Sequence, residues 1–339
     1  MQFYLAPLEG VTGHVFRKVY DRYFHDIDKY FTPFLSANDH LNPKTKRELD
    51  DTLSAPLIPQ ILGNQAERIL SLAEEIASEG DFDKINLNFG CPSGTVCAKG
   101  RGAGIFKDLI ALDDLLDKLF MQSRFKISLK TRTGYADESE WVKIVRILSD
   151  YPFEEIIIHP RLRSDQYRLP CRLEAFAYAM EHLQAPLCYN GEINGTEDLD
   201  KLCKLFPDLN AVMIGRGVVR NPFLISDLRA HLRDDKADRG HSVTAADSEK
   251  NSTKDGVEIS AKDSAKERTK EERDRCREFV TALEQAYLQE MACEEHAVMR
   301  MKEFWLYFGA SFPGCEKALK QIKKSKTLQE YRMAVLQIF

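Results

Sequence analysis

Residues 85–106 read INLNFGCPSGTVCAKGRGAGIF. A short apolar strand, 84–87, opens the stretch and breaks into a turn-rich loop with one thiol, Cys91, held between Gly90 and Pro92. A second glycine cluster follows at Gly100, Gly102 and Gly104. Glycine reaches backbone conformations closed to other residues, so the loop is expected to be shaped, mobile and able to close. A strand that ends in such a loop is the repeating unit of α/β folds, and the pattern recurs on both sides.

Strand-like runs fall at 3–6, 29–34, 57–62, 84–87, 125–130, 155–159, 186–190 and 211–215. Helical patterns lie between them at 66–78, 109–120, 138–148, 173–183 and 196–206. In the first, Ile69, Leu72, Ala73 and Ile76 share one face and Gly80 supplies a C-cap. Asp113 and Thr196 are the expected N-caps of two later helices. Eight strands alternating with helices predict an α/β fold of the (β/α)8 TIM-barrel type over residues 1–233. A doubly wound open sheet is the competitor. It calls for Gly-x-Gly-x-x-Gly after the first strand, and LAPLEGVTG at 5–13 lacks it.

Composition changes at 234–275. Between Lys236 and Lys270 the only large apolar residues are Val243, Val257 and Ile259. That is too little apolar surface to offset ordering entropy, and the segment reads as a charged, disordered linker or insertion whose end, 263–275, can join the next helix. Helical patterning returns at Cys276 with Phe279, Leu283, Ala286 and Tyr287, then Val298, Met301, Lys302 and Trp305, then Leu319, Ile322, Leu328, Tyr331 and Val335. Residues 276–339 are expected to form a small C-terminal helical domain.

The chain has 339 residues, 43% hydrophobic and 30% charged, with a formal net charge of −5 and a pI near 6.0. That balance argues against a strongly basic nucleic-acid binder, though not against a local patch. No apolar run is long enough to span a bilayer, and MQFYLAPLEG reads as a strand rather than an export signal. Eight scattered cysteines without Cys-x-x-Cys spacing, in a large chain with no export signal, argue against a disulfide framework and a zinc site. The expectation is a cytoplasmic monomer with reduced thiols, no metal and no membrane partner.

A barrel carries its chemistry at the C-terminal ends of its strands. Those ends are Pro7-Leu8-Glu9, Gln60, Asn88 with Cys91, Lys130 with Arg132, His159 with Arg161, Asn190-Gly191-Glu192, and Gly215-Arg216-Gly217. Gln60 alone reads equally well as a strand end meeting solvent. Lys130 and His159 do not, since each closes an apolar run, FKISLK and EIIIHP. Loops after the last two strands commonly bind phosphate, and Asn-Gly-Glu with Gly-Arg-Gly suits that role, with Arg216 as a bidentate donor. Lys130 would put positive charge beside an electron-rich ring such as a reduced flavin.

These residues carry a resemblance. APLEGVT…FR (6–17), Gln60, INLNFGCPS…GRGAGIF (85–106), KTRTGY (130–135), IIHPR (157–161), NGEI (190–193) and VMIGRG…NP (212–222) resemble the tRNA-dihydrouridine synthases, in that family's order. MKEFWLYFG (301–309) looks like part of the family's RNA-binding helical domain. The resemblance implies an FMN enzyme in which NADPH reduces the flavin, a hydride passes to C6 of a uracil in tRNA, and a cysteine, here Cys91, protonates C5 from the other face. An ordinary thiol, with a pKa of about 8.5, still holds its proton at neutral pH. By the same resemblance Asn88 touches the base. Pro7, Leu8, Glu9, Gln60, Lys130, His159, Asn190, Gly191, Glu192, Gly215 and Arg216 face the cofactor. Arg132 and Arg161, two residues beyond Lys130 and His159, are expected on the substrate side.

The sequence departs from the family in places. Leu8 stands where methionine is common, Gly13 where aspartate is frequent, and His-Pro-Arg replaces His-Gly-Arg or His-Ala-Arg. The linker is longer than the family needs. A basic cluster, Lys317, Lys320, Lys323, Lys324, Lys326 and Arg332 against Glu330, offers RNA phosphates a surface, with Lys320, Lys323 and Lys324 at its centre. A solvated lysine face is the plain alternative. The rival functions are a flavin barrel reducing a free pyrimidine or other small alkene, and a non-catalytic RNA-binding barrel. Which tRNA uridine would be modified is not encoded in any motif found.

Overall fold

Side chains alternate across a strand, so each barrel strand must satisfy an inner and an outer face at once. The computed structural model, which describes residues 1–241 and 269–339, shows how this chain does so. Its strands are β1 (Gln2–Leu5), β2 (Tyr30–Phe31), β3 (Leu35–Ser36), β4 (Leu57–Ile58), β5 (Gln60–Leu62), β6 (Lys84–Phe89), β7 (Lys126–Arg132), β8 (Glu155–His159), β9 (Leu187–Tyr189) and β10 (Ala211–Ile214). A parallel ladder runs β1-β10-β9-β8-β7-β6-β5-β3, and β2 pairs with β4. The gap closes where Asp28 N–H donates to the Phe3 carbonyl at 2.8 Å and Leu5 N–H to Lys29 at 3.2 Å. The result is the expected eight-position parallel barrel wrapped by helices.

Two expected strands are each split. Pro33 separates β2 from β3 and Pro59 separates β4 from β5, because proline has no N–H for the ladder. At the second break a side chain replaces a backbone acceptor: Gln60 N–H donates to Thr32 Oγ1 at 2.9 Å.

The outer faces, among them Phe3, Leu5, Ile85, Leu87, Leu129, Ile156, Ile158 and Val212, join the helices in one large core. The inner faces form a separate cluster of Tyr4, Ala6, Phe31, Ile58, Ile157, Cys188, Ala211 and Met213. Each buried Leu, Ile, Val, Phe or Met among these contributes about 1.5–3 kcal/mol by leaving water. At the N-terminal end Tyr4 Oη donates to Glu155 Oε1 at 2.6 Å and Lys29 pairs with Glu155 at 3.0 Å. Further along the strands the interior turns polar, through Gln60, Asn86 and Ser128 and then Asn88 and Lys130. The barrel is a filled core with a polar layer at its C-terminal mouth.

Helix ends differ in detail from the sequence expectation. Asp108, not Asp113, caps Leu109–Gln122, accepting Ala111 N–H at 3.0 Å, while Asp113 accepts the Tyr151 hydroxyl at 2.6 Å. Gly195 caps Thr196–Leu205, which makes Thr196 its first helical residue. Gly80 does end Ala66–Glu79, but in extended backbone. At His14–Phe24 the cap position is Gly13, with no side chain to give; Glu48 supplies the carboxylate from 34 residues away, accepting His14 N–H at 2.9 Å. A Cβ on Gly13 would lie 3.1 Å from Glu48 Oε1, so the distant carboxylate fills the space a residue-13 aspartate would use. Glu48 also pairs with the fully buried Arg17 at 3.1 Å.

Helix Leu224–His241 runs past residue 233, and helix Lys270–Glu290 begins before 276, so both ends of the expected linker are helical. Thr269 and Glu272 form a reciprocal capping box at the second start. The stretch 242–268 of that expected linker lies outside the described residues. The helical domain continues through Glu294–Phe308, Glu316–Lys324 and Leu328–Val335. Phe279, fully buried, anchors it, with ring contacts to Phe16, Tyr20, Tyr23 and Phe24 of the barrel and to Phe304 of its own domain. Phe279→Ala should lower unfolding stability by about 3–5 kcal/mol in denaturant titration, since it empties the junction of both units. A loss below about 1 kcal/mol would show that the two units do not share this core.

Candidate active site

The C-terminal end of β6 sets the site. Asn88 Oδ1 accepts the N–H groups of Gly90 at 3.1 Å and Cys91 at 2.9 Å, turning the chain into its loop. Asn88 is itself oriented by a side-chain relay across three strands. Its Nδ2 donates to Gln60 Oε1 at 2.7 Å, Gln60 Nε2 to Asn86 Oδ1 at 2.8 Å, and Asn86 Nδ2 to Ser128 Oγ at 2.9 Å. Parallel register makes this possible, placing Gln60 beside Asn86 and Asn86 beside Ser128. Gln60 is 1% exposed with both ends of its amide engaged, so it bears on the site through Asn88.

The loop is fastened rather than free. Arg132 Nε donates to the Gly90 carbonyl at 3.1 Å and Arg163 Nε to Pro92 at 3.2 Å. The Cys91 carbonyl accepts from Ala103 N–H at 3.0 Å and from the Cys97 thiol at 3.4 Å. Gly102, at φ +55, and Gly104 are there for close approach: a Cβ on either would fall within 3 Å of Cys91 or Cys97. The glycines expected to make the loop mobile thus pack it down. Burial raises the half-buried Cys91 thiol above its ordinary pKa, and Cys97 and Glu9 add to this. It stays protonated at neutral pH.

Beside Asn88, its register partner on β7 is Lys130. Burial, with Arg132 nearby, pulls the Lys130 amine down to about 8, and no carboxylate pairs with it among the described residues. His159, on β8, is pushed well below the usual imidazole range by burial and then by Arg132, Lys130, Arg161 and Arg216. It is therefore neutral. Its Nε2 lies 2.9 Å from Arg161 Nη1, a pure donor, which leaves the ring proton on Nδ1.

Arg161 and Arg132 are each 1% exposed and serve the loops. Arg132 Nη1 donates to the Leu162 and Gln166 carbonyls, both at 2.9 Å. Arg161 donates to the Leu169 carbonyl and pairs with Glu192 at 3.0 Å. Neither presents a guanidinium to an RNA surface, against the expectation for these two. Glu192 also pairs with Arg216, so it is the counter-ion of two arginines. Tyr167, half exposed, lays its ring 4.5 Å from the Arg216 guanidinium and 5.3 Å from that of Arg132.

The remaining expected residues complete the mouth. In the turn after β1, Thr12 Oγ1 accepts Leu8 N–H at 2.7 Å and donates to Ala6 at 3.1 Å, which shapes Pro7-Leu8-Glu9. Arg300 of the helical domain donates to the Gly10 carbonyl at 3.3 Å, tying that domain to the same turn. Asn190 Nδ2 donates to Met213 at 2.8 Å, joining the last two strand ends. A Cβ on Gly191 would lie 2.1 Å from Tyr189 Oη, and one on Gly215 3.1 Å from Ala6 Cβ. Lys320, Lys323 and Lys324 are exposed along Glu316–Lys324 and apart from the barrel strands, while Arg332 is paired with Glu284 at 2.6 Å.

Sequence reasoning missed Asn86, Glu48 and Tyr167. The Asn-x-Asn alternation of β6 was a signal for Asn86; nothing local marked the others. The mouth gathers Lys130, Arg132, Arg161 and Arg216, and Glu192 is the carboxylate that pairs directly with two of them, Arg161 and Arg216. That surplus of positive charge, with an unpaired lysine at its centre, fits an anionic phosphorylated ring. Among the described residues no group of His, Cys, Asp or Glu is arranged to hold a metal, and no helix is long and apolar enough to cross a membrane.

The family model described as dihydrouridine synthase (Dus) matches residues 4–304. The chain belongs to the dihydrouridine synthase family. It is an oxidoreductase by that membership, and the match extends from the barrel into the helical domain. A probable tRNA-dihydrouridine synthase of Staphylococcus aureus (strain COL) is 29% identical over 235 residues, 65% of this chain and 69% of that protein. A tRNA-dihydrouridine(16) synthase of Ralstonia nicotianae is 28% identical over 242 residues, 67% of this chain and 72% of its own length. Among solved structures, histamine dehydrogenase from Rhizobium sp. 4-9 superposes with a TM-score of 0.53 at 11% identity, over 69% of this chain and 46% of that one. That likeness is one of fold alone.

Proposed function

We propose that this dihydrouridine synthase family member reduces the C5–C6 double bond of a uridine in tRNA, with NADPH as reductant and FMN as bound cofactor. The observation that carries the reading is the pairing of a protonated, fastened thiol, Cys91, with a cationic wall of Lys130 and Arg216 at one barrel mouth. FMN, when bound, supplies the hydride to C6. Cys91 Sγ gives its proton to C5. Asn88 keeps one amide N–H unengaged and offers it to the base, while its oxygen holds the Cys91 backbone. Lys130 would place its positive charge beside the electron-rich ring of the bound flavin. Arg216, with the backbone at Asn190, Gly191 and Gly215, would hold the phosphate. Neutral His159 donates or accepts without adding charge. Lys320, Lys323 and Lys324 clamp the RNA while the base leaves its stack.

Unmodified tRNA, presented with NADPH, should gain dihydrouridine, while free uridine should turn over far more slowly. Equal kcat/KM for both would favour a free-pyrimidine reductase. A purified protein that is colourless and takes up no FMN would favour a non-catalytic RNA binder. Arg216→Ala should weaken FMN retention by roughly 10–100-fold in equilibrium titration, the value of a charge-assisted hydrogen bond. Unchanged affinity would remove Arg216 from the phosphate site.

A further inference from the structure

Arg101 stands in the glycine-rich run after Cys91, and neither the fold nor the proposed reaction uses its charge. It is 8% exposed. Its Nη1 donates to Ser36 Oγ at 3.3 Å, at the C-terminal end of β3, and its Nε has no hydrogen-bond partner among the described residues. No carboxylate pairs with it there. Burying a guanidinium without a counter-ion costs several kcal/mol, and a hydroxyl contact at that length offsets little of it. A leucine or glutamine would fill the space at lower cost. The charge therefore calls for an anion from outside the chain.

Its surroundings suit one. Next to Arg101, Gly102 packs directly on Cys91, so the backbone that carries Arg101 belongs to the thiol loop, while its guanidinium reaches Ser36 at the C-terminal end of β3. Ser36 Oγ also lies 3.4 Å from Asn38 N–H, and Asn38 Oδ1 accepts from Arg68 Nη1 at 3.0 Å. Asn64 Nδ2 donates to the Lys99 carbonyl at 3.1 Å. Neither Arg68 nor Lys99 has a carboxylate partner among the described residues. Two guanidiniums, Arg101 and Arg68, thus flank a small rim of hydroxyl and amide groups. A planar guanidinium fork beside a hydroxyl matches a phosphate in shape and charge.

We propose that Arg101 and Ser36 form a phosphate-binding site at the barrel mouth, engaged by the RNA backbone beside the base that faces Cys91. This rests on the tRNA reading above. The other phosphate source at the mouth is NADPH, and the test separates the two. Wild type, Arg101→Gln and Arg101→Lys, each FMN-loaded, are compared for tRNA binding by fluorescence anisotropy across a salt series. The same proteins are compared for anaerobic flavin reduction by NADPH without RNA, and for Tm. Arg101→Gln should weaken tRNA binding about tenfold and reduce the salt slope by about one, with Arg101→Lys recovering part of the loss and flavin reduction unchanged. Slowed reduction with unchanged tRNA binding overturns the RNA assignment in favour of NADPH. No change in either, or equal losses in both variants with a lowered Tm, overturns the site and makes Arg101 a tether. If Arg101→Gln does not fold, Ser36→Ala takes its place, with about a threefold loss of tRNA affinity expected and no loss overturning the site. Wild type that binds tRNA without forming dihydrouridine would refute the proposed reaction and leave this site standing.

Discussion

Cys91→Ala is expected to bind FMN and accept electrons from NADPH at the native rate while losing dihydrouridine formation by roughly 10²–10⁴-fold, the usual worth of a positioned general acid. The thiol is suited to the role by its surroundings. Burial, Cys97 and Glu9 raise its pKa; the Ser93 backbone and Arg132 pull the other way and do not prevail. A thiolate could not protonate a carbanion-like C5, whereas this thiol holds its proton through the neutral range. The product-forming step should therefore be flat with pH across neutrality and fall only as pH climbs past the ordinary thiol range. The fastening matters as much as the proton. Asn88, Arg132, Arg163 and Ala103 each hold one point of the loop, so the sulfur is placed before the base arrives. Single turnover of pre-reduced enzyme with tRNA measures the step directly. Native-rate product from Cys91→Ala would end the proton-donor assignment.

The residues that were readable in the sequence are those whose chemistry sits where a strand stops. Lys130 and His159 stood out because a charge or an imidazole closing an apolar run needs a reason. What stayed hidden depends on distance along the chain. The split of the second and third barrel positions was encoded locally, in Pro33 and Pro59, yet it takes the neighbouring ladder to show that the barrel closes around the breaks. Glu48 could not be linked to Gly13 by any local pattern, because the carboxylate reaches the helix start only once 34 residues have folded between them. Arg132 and Arg161 have the residue type and position of substrate contacts, and only their burial and carbonyl partners show that they hold loops instead. Arg332 looked like part of a basic patch until Glu284 was seen beside it. Charge counted along a sequence includes cations that the fold has already neutralised.

Lys130→Met is expected to stabilise the flavin-free protein and at the same time weaken flavin binding, a pairing of effects that a simple packing residue would not give. Burial and Arg132 bring the folded-state pKa to about 8, below the unfolded value near 10.5. At pH 7 both states carry the proton, so the whole cost of placing that charge in the barrel is present. Between about pH 8 and pH 10.5 the unfolded chain holds the extra proton, and stability rises with pH; above that range the cost is gone. Its size, discounted for the solvent that still reaches the side chain, is about 2 kcal/mol. Methionine keeps the volume and removes the charge, so the apo protein should gain that amount at pH 7, and its stability should lose the rise above pH 8. The bound ring reverses the balance. A flavin ring held beside Nζ would supply the acceptor atoms that the described residues lack, and negative charge once reduced, so the methionine variant should bind flavin about 10–100-fold less tightly. Denaturant titrations of apo protein at pH 7 and pH 9, alongside FMN titration, read both halves. A methionine variant that is less stable as apo protein and binds FMN as tightly as wild type would show Lys130 to be barrel packing, and would leave the positive wall at the mouth without its central member.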